Sequence, residues 1–364
     1  MGIGGVIEPI ERTKADFAFS WYGVNFQWPC SATKNIYTSS GRYTPNNAII
    51  TRVQYDRDYA YLTLPRFKSG GPVTLGRICL RRGQCNPVIE PYPCWSFQEE
   101  GNCKSLQNVV DIYMDVNNIL WVLDIGVVNT MEQPIRRCEP KIVGLCTKTD
   151  KVVKVIDLSQ LVCSSSRLQY LVADVASDGT TYIYVADAGT RSIIVYDVQK
   201  SRGFRVMLPK AVTSGCDHND VLYFALVRKP TGASTLFLTY LCSEKIFSIR
   251  TDYLRKGTNS GRIITVGAKD RKIIFLGTDG GAGLFFRYKG DGDIYMWNTD
   301  TCFKRENFYL AMKGHGGKLS THVVPGFRRL MWSLESNFQD YIQGTTGCLG
   351  ASIRLKPVVK SCEY

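Results

Sequence analysis

Short apolar runs that meet across tight polar turns dominate the chain, and helical periodicity is scarce. The recurring unit is strand, turn, strand. It occurs over residues 47–64 (NAIITRVQYDRDYAYLTL, turning near Arg57) and 108–124 (NVVDIYMDVNNILWVLD, near Asn117). It returns over 168–187 (turning at Asp178-Gly179) and 221–241 (at Pro230-Thr231-Gly232). The last two copies are 283–298 (GLFFRYKGDGDIYMWN, near Asp291-Gly292) and 321–336 (THVVPGFRRLMWSLES, at Pro325-Gly326). Third strands are expected over 152–158, 192–198 and 245–250. Six hairpins, most with room for four strands, predict an all-β, six-bladed β-propeller around a central channel, because ring closure protects sheet edges. The expected division is an N-terminal segment over 1–46 that can supply a closing strand, the propeller over 47–348 and a C-terminal tail over 349–364.

The topology carries a geometric expectation. If strand one lines the channel, its start and the end of strand two share one face. Asn47, Asn108, Asp124, Asp187, Asn298, Thr321 and Ser336 are then expected around one channel mouth, the default place for a ligand. The same residue types also cap turns by bonding nearby backbone.

Charge and cysteine usage narrow the class. Lys+Arg 45 against Asp+Glu 32 gives +13 on 364 residues. The basic residues are dispersed, densest at Arg81-Arg82 near Arg77, and no zinc finger or RNA-binding aromatic signature accompanies them. A solvated basic surface is the reading, with no nucleic-acid partner. No apolar run reaches the ~18 residues of a membrane span, so no membrane partner is expected. The start, MGIGGVIEPIER, has no long apolar stretch, so a signal peptide is either missing or was never there. Thirteen cysteines without a CxxC pair, and only three histidines, point to disulfides in an oxidising compartment rather than structural zinc. The odd count leaves at least one thiol free or intermolecular. No dinucleotide or phosphate-loop motif is present, and neither a cofactor nor a metal is expected.

Four segments carry a family resemblance: 64–75 (LPRFKSGGPVTL), 92–103 (YPCWSFQEEGNC), 108–129 (NVVDIYMDVNNILWVLDIGVVN) and 182–198 (YIYVADAGTRSIIVYDV). In this order they resemble the Yellow / major royal jelly protein family of insects, over roughly residues 17–350. The resemblance implies a six-bladed propeller and secretion. For function it implies cuticle pigmentation and melanin chemistry, dopachrome conversion, or binding of catecholamines and serotonin at the channel mouth. It places the amine-binding positions at Thr321, Ser336 and Phe338. Ser336 stands where an asparagine is expected, with Asn337 beside it, which predicts weaker amine binding. It also implies a Cys103–Cys138 disulfide.

An amine ring would stack on Phe338 while its ammonium meets Asp124 or Asp187. Dopachrome conversion needs a general base, for which His322, Asp124 and Asp187 are the candidates, with His315 on a loop. No motif decides between binding protein and enzyme. A calcium-dependent propeller hydrolase is the other class, with Asn108, Asp124, Asp187 and Asn298 as the oxygen donors.

Overall fold

The computed structural model describes residues 18–81, 85–216, 220–229, 234–257, 262–314 and 316–360. Their strands form six four-stranded antiparallel sheets and one two-stranded ribbon. Blade I comprises Arg52–Asp56, Tyr59–Thr63, Leu75–Cys79 and Glu90–Pro91; blade II comprises Val109–Met114, Ile119–Asp124, Lys141–Cys146 and Lys151–Asp157. Blade III runs through Leu168–Val175, Thr181–Asp187, Ser192–Asp197 and Arg202–Met207; blade IV through Leu222–Val227, Thr235–Tyr240, Lys245–Arg250 and Ile264–Ala268. Blade V holds Ile273–Thr278, Gly283–Tyr288, Ile294–Asn298 and Phe308–Met312. Blade VI is built from Leu319–Gly326, Leu330–Ser336, Ser352–Lys360 and, outermost, Phe19–Tyr22.

The first strand of each blade packs against the first strand of the next, and that of blade VI meets that of blade I. The chain is therefore a six-bladed β-propeller, as the hairpin count predicts. The ring is fastened by the N-terminal strand, which pairs Phe19–Tyr22 with the C-terminal strand through partners from Phe19↔Leu355 to Tyr22↔Ser352. Middle strands are buried on both faces because blades stack on one another. All six residues of Ser192–Asp197 are buried, whereas Val152, Val153 and Val155 on the outer strand of blade II stay exposed.

Four sequence expectations need correction. The 283–298 hairpin is strands two and three of blade V, not one and two. The axial strand is Ile273–Thr278. Glycine-containing turns flank the middle strand on both sides, so periodicity cannot say which pair is axial. In blade VI, Pro325-Gly326 ends the inner strand and the turn is Phe327–Arg329, with Arg328 and Arg329 at φ 60 and 56. Proline is tolerated there because that strand is a sheet edge. The 152–158 run is the fourth strand of blade II. The third, Lys141–Cys146, opens on a lysine and so reads as polar, yet that lysine is buried. Finally, the span expected as a C-terminal tail, 349–364, contains a blade strand, Ser352–Lys360. The turn expected at Pro230-Thr231-Gly232 lies outside the described residues.

Among the described residues two disulfides are present, Cys103–Cys138 and Cys216–Cys242, and eight further cysteines are free thiols. Cys103–Cys138 ties the segment before blade II to the long connection inside it, across a sequence separation of 35. Replacing both residues by serine should lower stability by roughly 3–4 kcal/mol through loop entropy. A lower denaturant midpoint checks this; an unchanged midpoint refutes it.

Candidate functional site

A cavity of about 140 Å³ lies on the propeller axis. Its walls are inner-strand residues, among them Arg52 and Gln54 of blade I, Asp111 to Met114 of blade II and Tyr170 of blade III. Arg228, just after the first strand of blade IV, Thr278 and Gly280 of blade V and Pro325 of blade VI lie at its other end. These last residues end first strands, so the cavity reaches toward the face of the hairpin turns. The mouth expected from the sequence is the opposite face.

At the end away from the turns, side chains from five blades meet. The Arg52 guanidinium donates to the Thr321 carbonyl at 2.6 Å and lies 3.4 Å from the Asp111 carboxylate. It also covers the Tyr170 ring at 4.6 Å, and Tyr170 packs against Tyr223 at 5.4 Å. Asp111 accepts from the backbone N–H groups of Leu171 (2.8 Å) and Ile112 (3.0 Å). The His322 Nδ1 accepts from the Val53 N–H at 3.2 Å, which places the ring proton on Nε2.

Burial sets the electrostatics. It pushes the Asp111 carboxyl up to about 6, with Arg52 and the two backbone donors pulling the other way. Burial, reinforced by the Arg52 charge, holds His322 well below the usual histidine range, so it is a neutral donor. Burial raises Tyr170 and Tyr223, whose hydroxyls stay protonated. Burial opposes the Arg52 charge, and Tyr170 and Asp111 more than restore it. A carboxyl that titrates near neutrality, a fixed cation and a neutral imidazole donor thus share one small apolar-walled space.

The ring of polar residues expected at the mouth is used differently. Asp124 is fully buried and accepts from the N–H groups of Gln107 (2.9 Å), Asn108 (2.9 Å) and Gly126 (3.0 Å), with the Lys141 ammonium at 3.0 Å. Asp187 accepts from the Arg167 N–H at 2.8 Å and the Thr190 hydroxyl at 2.6 Å. Asn108 accepts from the Arg66 N–H and donates to the Val127 carbonyl. These three are turn clamps, with their polar atoms committed to the loops between blades. Asn47 donates to the Ser69 carbonyl. Asn298 ends the third strand of blade V opposite Gly283, which begins the second; it therefore sits on the turn face, away from the others. The oxygen set proposed for calcium is not assembled in one place. The described His/Cys/Asp/Glu residues hold one group close enough for a metal, Cys216, Asp220 and Cys242, and its two sulfurs form a disulfide.

On blade VI, Thr321 joins the axial cluster, with its carbonyl on Arg52 and its hydroxyl donating to the Thr51 carbonyl at 3.1 Å. Asn337 donates to Asp340 and accepts from the Ser352 N–H. Phe338 packs between Phe67 and Tyr341. The Ser336 hydroxyl is buried and has no hydrogen-bond partner among the described residues. His315 and His218 lie outside the described residues. Sequence reasoning missed Arg52, Asp111, Tyr170 and Tyr223. Their signal is a charged or phenolic residue set inside an otherwise apolar first strand, as in VVDIYM and LYFALV.

A family model described as Major royal jelly protein matches residues 107–362. The chain belongs to the major royal jelly protein / Yellow family. Relatives in the royal jelly family include the dopaminechrome tautomerase of Drosophila melanogaster, 25% identical over 200 residues, covering 54% of this chain and 43% of that protein. Protein yellow of the same fly is 25% identical over 264 residues, covering 66% and 48%. Major royal jelly protein 8 of Apis mellifera is 19% identical over 377 residues, covering 95% and 86%. The matches to the first two thus span less than half of the relatives' own length. Among solved structures, a calcium-binding regucalcin from Agrobacterium tumefaciens superposes with TM-score 0.52 at 14% identity, covering 86% of this chain and 92% of that one; this likeness concerns the fold alone.

Proposed function

We propose that this family member is a secreted protein of the pigmentation chemistry that takes a small aromatic amine or its aminochrome into the axial cavity and isomerises the aminochrome. The carrying observation is the buried Asp111–Arg52 pair, 3.4 Å apart and beside the neutral His322. A cavity near 140 Å³ is of the size that holds a benzene-like ring, by comparison with engineered cavities of about 150 Å³. Support for the substrate class comes from the relative named dopaminechrome tautomerase, and for pigmentation from protein yellow. The two disulfides support an oxidising compartment.

The reaction needs no oxidant. Asp111 takes a proton from a ring carbon of the aminochrome, the electron pair moves through the ring to a quinone oxygen, and that oxygen gains a proton. This first transfer gives a quinone methide; loss of a proton from the neighbouring saturated ring carbon, with protonation of the second quinone oxygen, then gives the dihydroxyindole isomer. Arg52 and the His322 Nε2–H stabilise the oxygen as charge develops on it. Asp124 and Asp187 act in this reading as structural clamps.

A second reading keeps the amine at the other face, against Thr321, Ser336 and Phe338. The unpartnered, buried Ser336 hydroxyl favours it, since such a group is satisfied by a ligand. Calorimetry with dopamine and serotonin separates the two. In the axial reading Asp111→Asn weakens binding at least about tenfold while Phe338→Ala leaves it within a factor of two. The reverse pattern selects the blade VI face, and no heat at millimolar ligand removes amine binding.

A further inference from the structure

A second cavity, about 380 Å³, opens on the turn face between blades III and IV. Lys200, Arg202, Arg255 and Lys256 line it together with the rings of Tyr182 and Phe204. One acid is present, Asp197, which lies 3.6 Å from the Lys200 ammonium. Arg255 is held in place from behind. It pairs with the buried Asp174, donates to the Tyr184 hydroxyl at 3.1 Å and lies 5.1 Å over the Tyr182 ring. Arg202 and Lys256 are exposed, and among the described residues their side chains make no ion pair or hydrogen bond.

We infer that this pocket is a ligand site for a sugar carrying a sulfate or phosphate ester. With Lys200 paired to Asp197 and Arg255 to Asp174, Arg202 and Lys256 leave a surplus of two positive charges in one concavity, which suits a multiply charged oxyanion. The Arg202 fork can take two ester oxygens at once, and Lys256 supplies a point charge. The half-buried rings of Tyr182 and Phe204 offer apolar faces to the sugar ring. The volume lies within the range of about 300–1,000 Å³ that small-molecule sites occupy. This site is separate from the axial cavity and does not depend on the reaction proposed there.

Titration calorimetry on the full chain at low salt, with glucosamine 6-sulfate, glucose 6-phosphate, inorganic sulfate and inorganic phosphate, tests the inference. Both sugar esters, or one of them, should bind more tightly than the inorganic ions; which one assigns the natural ester. Arg202→Glu and Lys256→Glu should each weaken binding about tenfold or more. Lys210→Glu makes the same charge change at an exposed residue after the last strand of blade III, on the other face, and should leave binding within a factor of two. No heat with either ester at 10 millimolar (roughly the weakest useful affinity) would overturn the inference. So would inorganic ions binding as tightly as the esters, or an equal loss in Lys210→Glu, which would reduce the effect to general charge attraction.

Discussion

Arg66→Ala should cost about 4 kcal/mol or more of stability, a large share of the 5–15 kcal/mol that holds a domain folded. Arg66 is buried, and its guanidinium donates to five backbone carbonyls: Gly71 (2.8 Å), Pro72 (3.1 Å), Gln98 (2.5 Å), Leu106 (3.1 Å) and Gln107 (2.6 Å). Its own N–H donates to the Asn108 side chain and its carbonyl accepts from the Asn129 N–H. One side chain therefore ties the loop after the second strand of blade I to the entry of blade II. Removing it strands several buried carbonyls, each a desolvation cost of about 1–3 kcal/mol when unpaired. Arg66→Lys should recover less than half of the loss, since three donors on one nitrogen cannot reproduce the planar fork. Denaturant titration at matched slope measures both. A loss below about 1 kcal/mol for Arg66→Ala, within the range of ordinary surface changes, would show that the loops hold without it.

Asp111→Asn should lower the aminochrome conversion rate by about 10²–10⁴ while the protein stays folded, the range a general base supplies. The pH dependence follows from the direction of the shift. Burial raises the Asp111 carboxyl to about 6, and the base is the ionised form. Conversion should therefore be constant above that value and fall about tenfold per pH unit below it. His322 is neutral across this range, because burial and Arg52 hold its titration well below the usual range; it contributes no limb of its own near pH 6. A profile that bends near an ordinary carboxylate value would place the base elsewhere, as would one that does not bend at all.

The blades were legible because their middle strands are buried on both faces and write themselves as unbroken apolar runs, such as YIYVAD and SIIVYD. What the runs do not carry is their distance from the axis. GLFFRY and IYMWN therefore look like an axial hairpin in sequence, while the axial strand is Ile273–Thr278. The site was harder to read for a topological reason. Arg52, Asp111, Tyr170, Tyr223 and His322 come from five different first strands, about fifty residues or more apart along the chain, and meet because the ring closes. Each looks like an isolated polar interruption in its own strand. The residues that stood out instead, Asp124, Asp187 and Asn108, sit at strand ends where carboxylates and amides bond loop backbone, and that is what they do here. Of the positions taken from the family resemblance, Thr321 lies against the axial arginine. In the LPRFKSGGPVTL segment, Arg66 is a structural residue that binds loop carbonyls.

If the axial cavity, with Asp111 as base, is where the chemistry happens, loss of the visible absorbance of dopaminechrome mixed with purified protein at pH 7 reports it. The wild type should convert it faster than a heat-denatured control, Asp111→Asn should fall to the control rate, and folded Phe338→Ala should retain the wild-type rate. A wild-type rate equal to the denatured control, or an Asp111→Asn rate equal to the wild type, would contradict this assignment.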